Sequence, residues 1–264
     1  MVAQLLAWNL REQNRMAPLP EPSFLSIRDR RLAYHRLDGR DPTVLFCGGF
    51  TSDMDGTKAL ALERWCRAEG RSYVRFDYSG HGQSEGRFED GTIGRWTEDA
   101  LAIVDRVVSG PLIVVGSSMG GWIMLLVALA RPERIQALLG IAAAPDFTED
   151  LLLPRASEEQ RRDLAEQGFW MQLSDYGAPY PVTAGLLEDG RRHLLLRDSI
   201  AITCPVHLLH GQRDPDVPWQ TALRLAERLQ SEDVTIELIK AGDHRLSSAP
   251  NIARIVAVLA RLLA

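Results

Sequence analysis

The pentapeptide Gly116-Ser117-Ser118-Met119-Gly120 restricts what this chain can fold into more than any other stretch of it. It stands between the apolar run 112–115 (LIVV) and a helical pattern over 122–130 that stops before Pro132. A G-x-S-x-G placed between strand and helix describes a very tight turn. Glycines at its first and last positions let the backbone close with no Cβ in the way. Ser118 is then held at the tip with its hydroxyl exposed. It also sits at a helix N-terminus, where free N–H groups favour developing negative charge. The amide of Met119 is one donor toward such a charge. Ser117 reads as a packing or capping residue.

Such a turn needs strands on either side, and the rest of the chain supplies them. The segments 43–47 (TVLFC), 73–76, 112–115, 138–144, 206–210 and 235–239 read as short buried strands. Helical patterns over 58–68, 97–108, 122–130, 221–229 and 252–263 alternate with them. The segments 24–27 and 32–36 read as an opening hairpin. This order predicts an α/β fold, a mostly parallel sheet with helices on both faces. Sites on such sheets lie beyond the carboxyl ends of the strands.

The rhythm breaks over 146–204. That stretch shows no clear strand, a charged helix over 157–167 and the aromatics Phe169, Trp170, Tyr176 and Tyr180. It is too long for a simple loop and reads as a small inserted lid. The core is then 23–145 with 205–264, and residues 1–22 form an N-terminal extension. The lid aromatics, with Met171, Leu186, Leu187 and Leu194 to Leu196, fit either a substrate channel or packing of the lid. Gly49, Trp170 and Tyr176 are the candidates for substrate contact.

A serine hydroxyl becomes a nucleophile when a base takes its proton. His244 lies in the polar turn Ala241-Gly242-Asp243-His244-Arg245, between the last strand and the last helix, where a general base belongs. Asp243 reads as turn-forming. His207 alternates within a strand and reads as structural. His81 belongs to another loop, and His35 and His193 have no supporting context. The acid that orients the base is expected after an earlier strand, in His210-Gly211-Gln212-Arg213-Asp214-Pro215-Asp216-Val217-Pro218. Asp214 fits the pattern H-G-x-x-D-x-x-V-P, and Asp216 is the alternative. The second oxyanion donor is expected in the loop after 43–47. There Gly49 allows close backbone approach and Phe50 offers its N–H. Each donor aimed at a tetrahedral oxyanion is worth about 2.7–4 kcal/mol.

Composition sets limits on partners. The 264 residues suit one large α/β domain, and 45% hydrophobic with 25% charged is a globular balance. The net charge is −5, with no long basic run, which argues against nucleic acid. Cys47, Cys66 and Cys204 are odd in number and widely spaced, suiting neither a disulfide framework nor a zinc site. They read as buried thiols in a reducing, cytoplasmic compartment. Nothing calls for a metal or a cofactor. The longest apolar runs fall short of the ~20 residues that span a bilayer. The opening segment lacks the basic start and cleavage site of a secretory signal. Leu5, Leu6, Trp8 and Leu10 can form a short amphipathic turn, which leaves mitochondrial import open. Oligomeric state is not fixed by any of these features.

Four stretches carry a family resemblance: 49–59 (GFTSDMDGTKA), 75–86 (RFDYSGHGQSEG), 116–122 (GSSMGGW) and 210–245. Through them the chain resembles the palmitoyl-protein thioesterase and acyl-glucuronide esterase branch of the α/β-hydrolase-domain proteins, a mitochondrial branch with bacterial relatives. The likeness runs from about Leu45 to the C-terminus. Thr57-Lys58-Ala59 and Val217-Pro218-Trp219 look like features of that branch, and Gly48 stands where many relatives have histidine. The resemblance implies the α/β-hydrolase fold, with Ser118, Asp214 and His244 as triad. It also implies cofactor-free hydrolysis of acyl thioesters or activated acyl esters, on a small-molecule or acylated-protein substrate. The natural substrate does not transfer, because 145–205 is where relatives differ most. Two other readings stand beside it: a short-chain carboxylesterase or lactonase, and a non-catalytic ligand receptor that keeps the triad. A serine rather than an aspartate at position 118 argues against a dehalogenase.

Overall fold

The structure, a computed structural model, describes residues 21–173 and 178–264. Most of the proposed N-terminal extension therefore lies outside the described residues. Strands β1 (Ser23–Ile27) and β2 (Arg30–Leu37) pair antiparallel, as the sequence predicts. β3 (Arg40–Cys47) leads through a loop to helix α1 (Thr57–Ala68), then β4 (Arg71–Phe76) and α2 (Ile93–Arg106). The helix α2 starts four residues before the predicted 97, because Thr92 caps it by accepting from the Arg95 N–H. β5 (Leu112–Ser117) and α3 (Met119–Ala130) flank Ser118, and β6 (Ile135–Ile141) follows. β6 ends earlier than the predicted 144, because Ala142 turns to φ 46° and leaves the sheet.

Between β6 and the next sheet strand the chain leaves the core. It forms a π-helical turn (Thr148–Leu152), helix α4 (Glu158–Gln167), strands β7 (Phe169–Gln172) and β8 (Tyr180–Thr183), and helix α5 (Ala184–Arg191). The expectation of no strand here is corrected: β7 and β8 pair antiparallel as a separate hairpin. Each has four residues and β8 contains Pro181, so neither shows a readable period. Ser157 caps α4 with a full capping box to Gln160. The sheet resumes with β9 (Val206–Gly211), then α6 (Gln220–Arg228), β10 (Val234–Ile239) and α7 (Ala249–Leu262).

The main sheet runs in the order β1-β2-β4-β3-β5-β6-β9-β10, parallel from β4 onward. Alternation along the strands assigns each side chain to one face. Val44, Phe46, Ile113, Val115, Leu139 and Leu209 share a buried cluster with residues of α1 and α7. Leu45, Cys47, Val114, Leu138 and Leu208 pack with residues of α2, α3 and α6. The fold is thus three-layered, which is why its central strands read as unbroken apolar runs. Burying a side chain such as Ile103 or Leu125 contributes roughly 1.5–3 kcal/mol. This scaffold places the ends of β3, β5, β9 and β10 along one edge.

Candidate active site

The turn between β5 and α3 is tight because two glycines permit it. A Cβ at Gly116 would overlap the Gly120 carbonyl, and a Cβ at Gly120 would overlap the Cys47 carbonyl. Ser118 adopts φ 55° and ψ −121°, a region that non-glycine residues rarely occupy. Such strain costs about 1–3 kcal/mol and needs support. Here the Ser118 N–H donates to the Ile141 carbonyl at 2.9 Å, and its carbonyl accepts from Gly121 at 2.8 Å and Ala144 at 3.0 Å. The side chain does not cap α3, which leaves Oγ free to face another partner.

That partner is His244. Its Nδ1 lies 2.8 Å from Asp214 Oδ2 and its Nε2 lies 3.0 Å from Ser118 Oγ. The carboxylate can only accept, so Nδ1 carries the proton and Nε2 is left to receive one from Ser118. Asp214 Oδ1 accepts two backbone N–H groups, from Asp216 at 2.9 Å and Val217 at 2.8 Å. Burial works to raise the Asp214 pKa. Hydrogen bonds from His210, His244 and Val217, with the His244 charge, outweigh it and hold the carboxyl far below its usual range. Between the two acids left open by sequence, it is Asp214 that meets the base. Asp216 contributes its backbone N–H to Asp214, and Asp243 accepts from the Leu246 N–H as a turn residue.

The loop after β3 is braced from behind. Asp77 accepts from the N–H groups of Met54 and Gln83, at 2.7 and 2.8 Å. Arg75, fully buried, pairs with Glu63 at 2.5 Å and with Asp55. Gly49 packs against Ser118, where an added Cβ would lie 3.4 Å from the serine Cβ. Among the described residues, no protein acceptor takes the backbone N–H of Phe50 or of Met119. Met119 is the first residue of α3, so its N–H has no partner one turn back.

These groups open on a cavity of about 1220 Å³. One wall is apolar: Phe50, Phe88, Phe147, Leu151, Leu152 and Tyr180. The Phe50 ring meets Phe88, Phe147 and Tyr180 at centroid distances of 5.1, 5.4 and 5.2 Å. Lys58 lines another part and donates to the Arg245 carbonyl at 2.6 Å. Burial and the Arg245 charge pull its pKa down to about 8.

The sequence and the fold are both matched in known proteins. The Hydrolase_4 family, described as serine aminopeptidase S33, matches residues 39–174. The mitochondrial palmitoyl-protein thioesterase ABHD10 of Homo sapiens is 42% identical over 239 residues, covering 89% of this chain and 77% of its own. This protein is an α/β-hydrolase. The Mus musculus counterpart is 40% identical over 262 residues, covering 97% of the hydrolase described here and 86% of itself. The solved structure of mouse α/β hydrolase domain-containing protein 10 superposes with TM-score 0.86 at 40% identity, covering 92% and 98% of the two chains. A solved structure from Agrobacterium vitis S4 gives TM-score 0.88 at 39% identity, covering 94% and 100%. The resemblance read from the motifs is confirmed, and with it the membership of this hydrolase among serine hydrolases.

Not every expected contact is at the cavity of the hydrolase. Trp170 is 1% exposed, is not among the residues that line the cavity, and donates Nε1 to Gln172 Oε1 at 3.2 Å. It shares the inner face of its strand with the half-buried Gln172, while Phe169 and Met171 are exposed on the other face. Tyr176 lies outside the described residues. Tyr180, from the same aromatic-rich segment, reaches Phe50. The wall residues Phe88 and Phe147 escaped the sequence reading, since each is a lone aromatic in a polar or turn context. His210 also escaped it, although the motif H-G-x-x-D begins on it. Asp214, Asp216 and His244 bring ligand atoms within 4.8 Å of one another.

Proposed function

We propose that this hydrolase cleaves acyl thioesters or acyl esters through an acyl-enzyme on Ser118. The observation that carries the reading is the unbroken line Ser118 Oγ, His244 Nε2, His244 Nδ1, Asp214 Oδ2, with links of 3.0 and 2.8 Å, opening on an apolar-walled cavity. His244 takes the Ser118 proton as Oγ attacks the acyl carbonyl. Asp214 keeps the ring in the right tautomer and stabilises the imidazolium. The oxyanion lies against the N–H groups of Phe50 and Met119. His244 then gives its proton to the departing thiolate or alkoxide, and a water repeats the sequence to release the acid.

The cavity exceeds the roughly 300–1,000 Å³ usual for small-ligand pockets, leaving room for a long acyl chain and its leaving group. Its aromatic and leucine wall suits the acyl part. The segment 146–204 supplies Phe147, Leu151, Leu152 and Tyr180 to that wall, so it acts as the lid over the site, and 23–145 with 205–264 act as the core. The substrate is a small acylated molecule or an acylated protein, the latter in keeping with the name of the ABHD10 relatives. Among the described residues no helix is long and apolar enough to cross a membrane. The unpaired Cys47, Cys66 and Cys204 suit a reducing compartment, cytoplasm or mitochondrial matrix.

The test is kcat/KM for paired thioesters and oxyesters of increasing acyl length, with Ser118→Ala as blank. Rising values toward long thioesters support the reading. A peak at short oxyesters replaces it with a short-chain carboxylesterase. No turnover at all from folded protein moves the receptor reading forward.

A further inference from the structure

His210 is the penultimate residue of β9, 1% exposed, and lies outside the three-residue line just described. Its Nε2 stands 3.0 Å from the Val217 carbonyl oxygen and 3.3 Å from Asp214 Oδ2. A carbonyl and a carboxylate both accept only, so Nε2 carries a proton directed at the pair. The same Val217 gives its N–H to Asp214 Oδ1 at 2.8 Å. Both polar backbone groups of Val217 are therefore tied, one to the acid and one to His210. The near end of the loop is fixed separately, by Gln212 and Arg213 N–H bonds to the Ile239 and Gly242 carbonyls, each 2.9 Å. From the inserted segment, Arg155 holds the Asp216 carbonyl at 2.8 Å.

We propose that His210 is a positioning residue for Asp214: it closes the acid-bearing loop onto β9 and holds Oδ2 on the line to His244. The inference rests on the triad reading above. Asp214 Oδ2 lies between two imidazoles, with His244 at 2.8 Å and His210 at 3.3 Å. The His244 bond sets tautomer and ring orientation. The His210 bond limits where that oxygen can go. Without the imidazole, the buried Val217 carbonyl loses its partner, and the segment around Pro215 and Asp216 can turn Asp214 off line. The charged groups facing His210 are Asp214 and, beyond it, His244 and Asp216.

The two amide replacements separate this role from simple packing. His210→Gln can put an N–H near the place of Nε2, whereas His210→Asn puts its amide nearer the place of Nδ1. With a p-nitrophenyl acyl ester as probe, kcat, KM and the pH–rate profile are measured for both, for Asp214→Asn, and for His210→Asn combined with Asp214→Asn. His210→Asn is expected to lower kcat by about tenfold or more with KM little changed. It should also move the acidic limb of the profile to lower pH, as Asp214→Asn does, because a displaced acid no longer stabilises the imidazolium. His210→Gln should keep most of the activity, and His210→Asn should cost little more once Asp214→Asn is present. Wild-type kcat in His210→Asn, or equal loss in both amides with an unmoved limb and additive effects, overturns the inference. An Asp214→Asn protein with full activity overturns the triad reading itself, and His210 with it.

Discussion

The Oγ of Ser118 lies 3.0 Å from the Nε2 of His244, although 126 residues of chain separate them. Nothing local holds the two together, so the contact is a product of the sheet order that sets β5 near β9 and β10. Replacing Ser118 by alanine removes the nucleophile and leaves the Ile141, Gly121 and Ala144 bonds of the turn in place. The expected result is a folded protein whose kcat falls on the order of 10⁶-fold. It should also no longer be labelled by a fluorophosphonate. Residual labelling at another serine would show that Ser118 is not the nucleophile.

Asp214 and Asp216 are separated by one proline but have different surroundings. Asp214 gives both oxygens to donors, including His244. Asp216 Oδ2 is buried with no hydrogen-bond partner among the described residues. Asp214→Asn should lower kcat on the order of 10⁴-fold, since an amide facing Nδ1 favours the wrong tautomer. Asp216→Asn should stay within about tenfold of the parent, because its backbone N–H still reaches Asp214. Side-by-side kinetics on one ester decide the matter, and the opposite ranking would reverse the assignment.

How much of this was readable in advance follows from what each residue is constrained by. Ser118, His244 and Asp214 are bound to turns with fixed chemistry, so glycine spacing and chain order revealed them. The strands β3, β5, β6 and β9 were legible because both faces are covered and only apolar residues fit. Channel and packing stay open for Trp170 in the sequence because an aromatic residue announces burial but not against what. The hairpin β7–β8 lacks the length for a period to show. Phe88 and Phe147 reach the cavity through tertiary packing alone, and nothing near them in sequence signals it. His210 lies inside a strand, where a histidine reads as structural, and its bond to the acid depends on how the following loop folds back.

His81 gives a pH test of the fold that is independent of catalysis. It is 5% exposed, packed among Tyr78, Phe88 and Trp96, and burial pulls its pKa down to about 4. Unfolded, it titrates near 6.5. Between those values the unfolded chain binds a proton that the folded one refuses, so stability falls as pH drops from 6.5 toward 4. The effect is on the order of 3 kcal/mol at its full extent. His81→Phe keeps the ring packing and removes the titration. Urea unfolding across this range should show a shallower pH slope for the variant, whereas parallel slopes would mean that His81 titrates normally in the fold.

Tyr180 and Trp170 make opposite predictions from the same hairpin. Tyr180 stands edge-on to Phe50 at 5.2 Å and lines the cavity, while Trp170, on the same face of the hairpin, is buried and bonded to Gln172. If the apolar wall holds the acyl chain, Tyr180→Ala removes contact area that only long chains use. The expected loss is about tenfold in kcat/KM for a long acyl ester, equivalent to ~1.4 kcal/mol of apolar contact, with short esters little affected. Trp170→Phe should lower the melting temperature and leave the ratio of long to short substrates as it was. The ratio is the informative quantity, because loss of folded protein cancels in it. A ratio that moves with Trp170 and not with Tyr180 would place the acyl chain further along the same face of the hairpin, toward Val182 and away from the Phe50 ring.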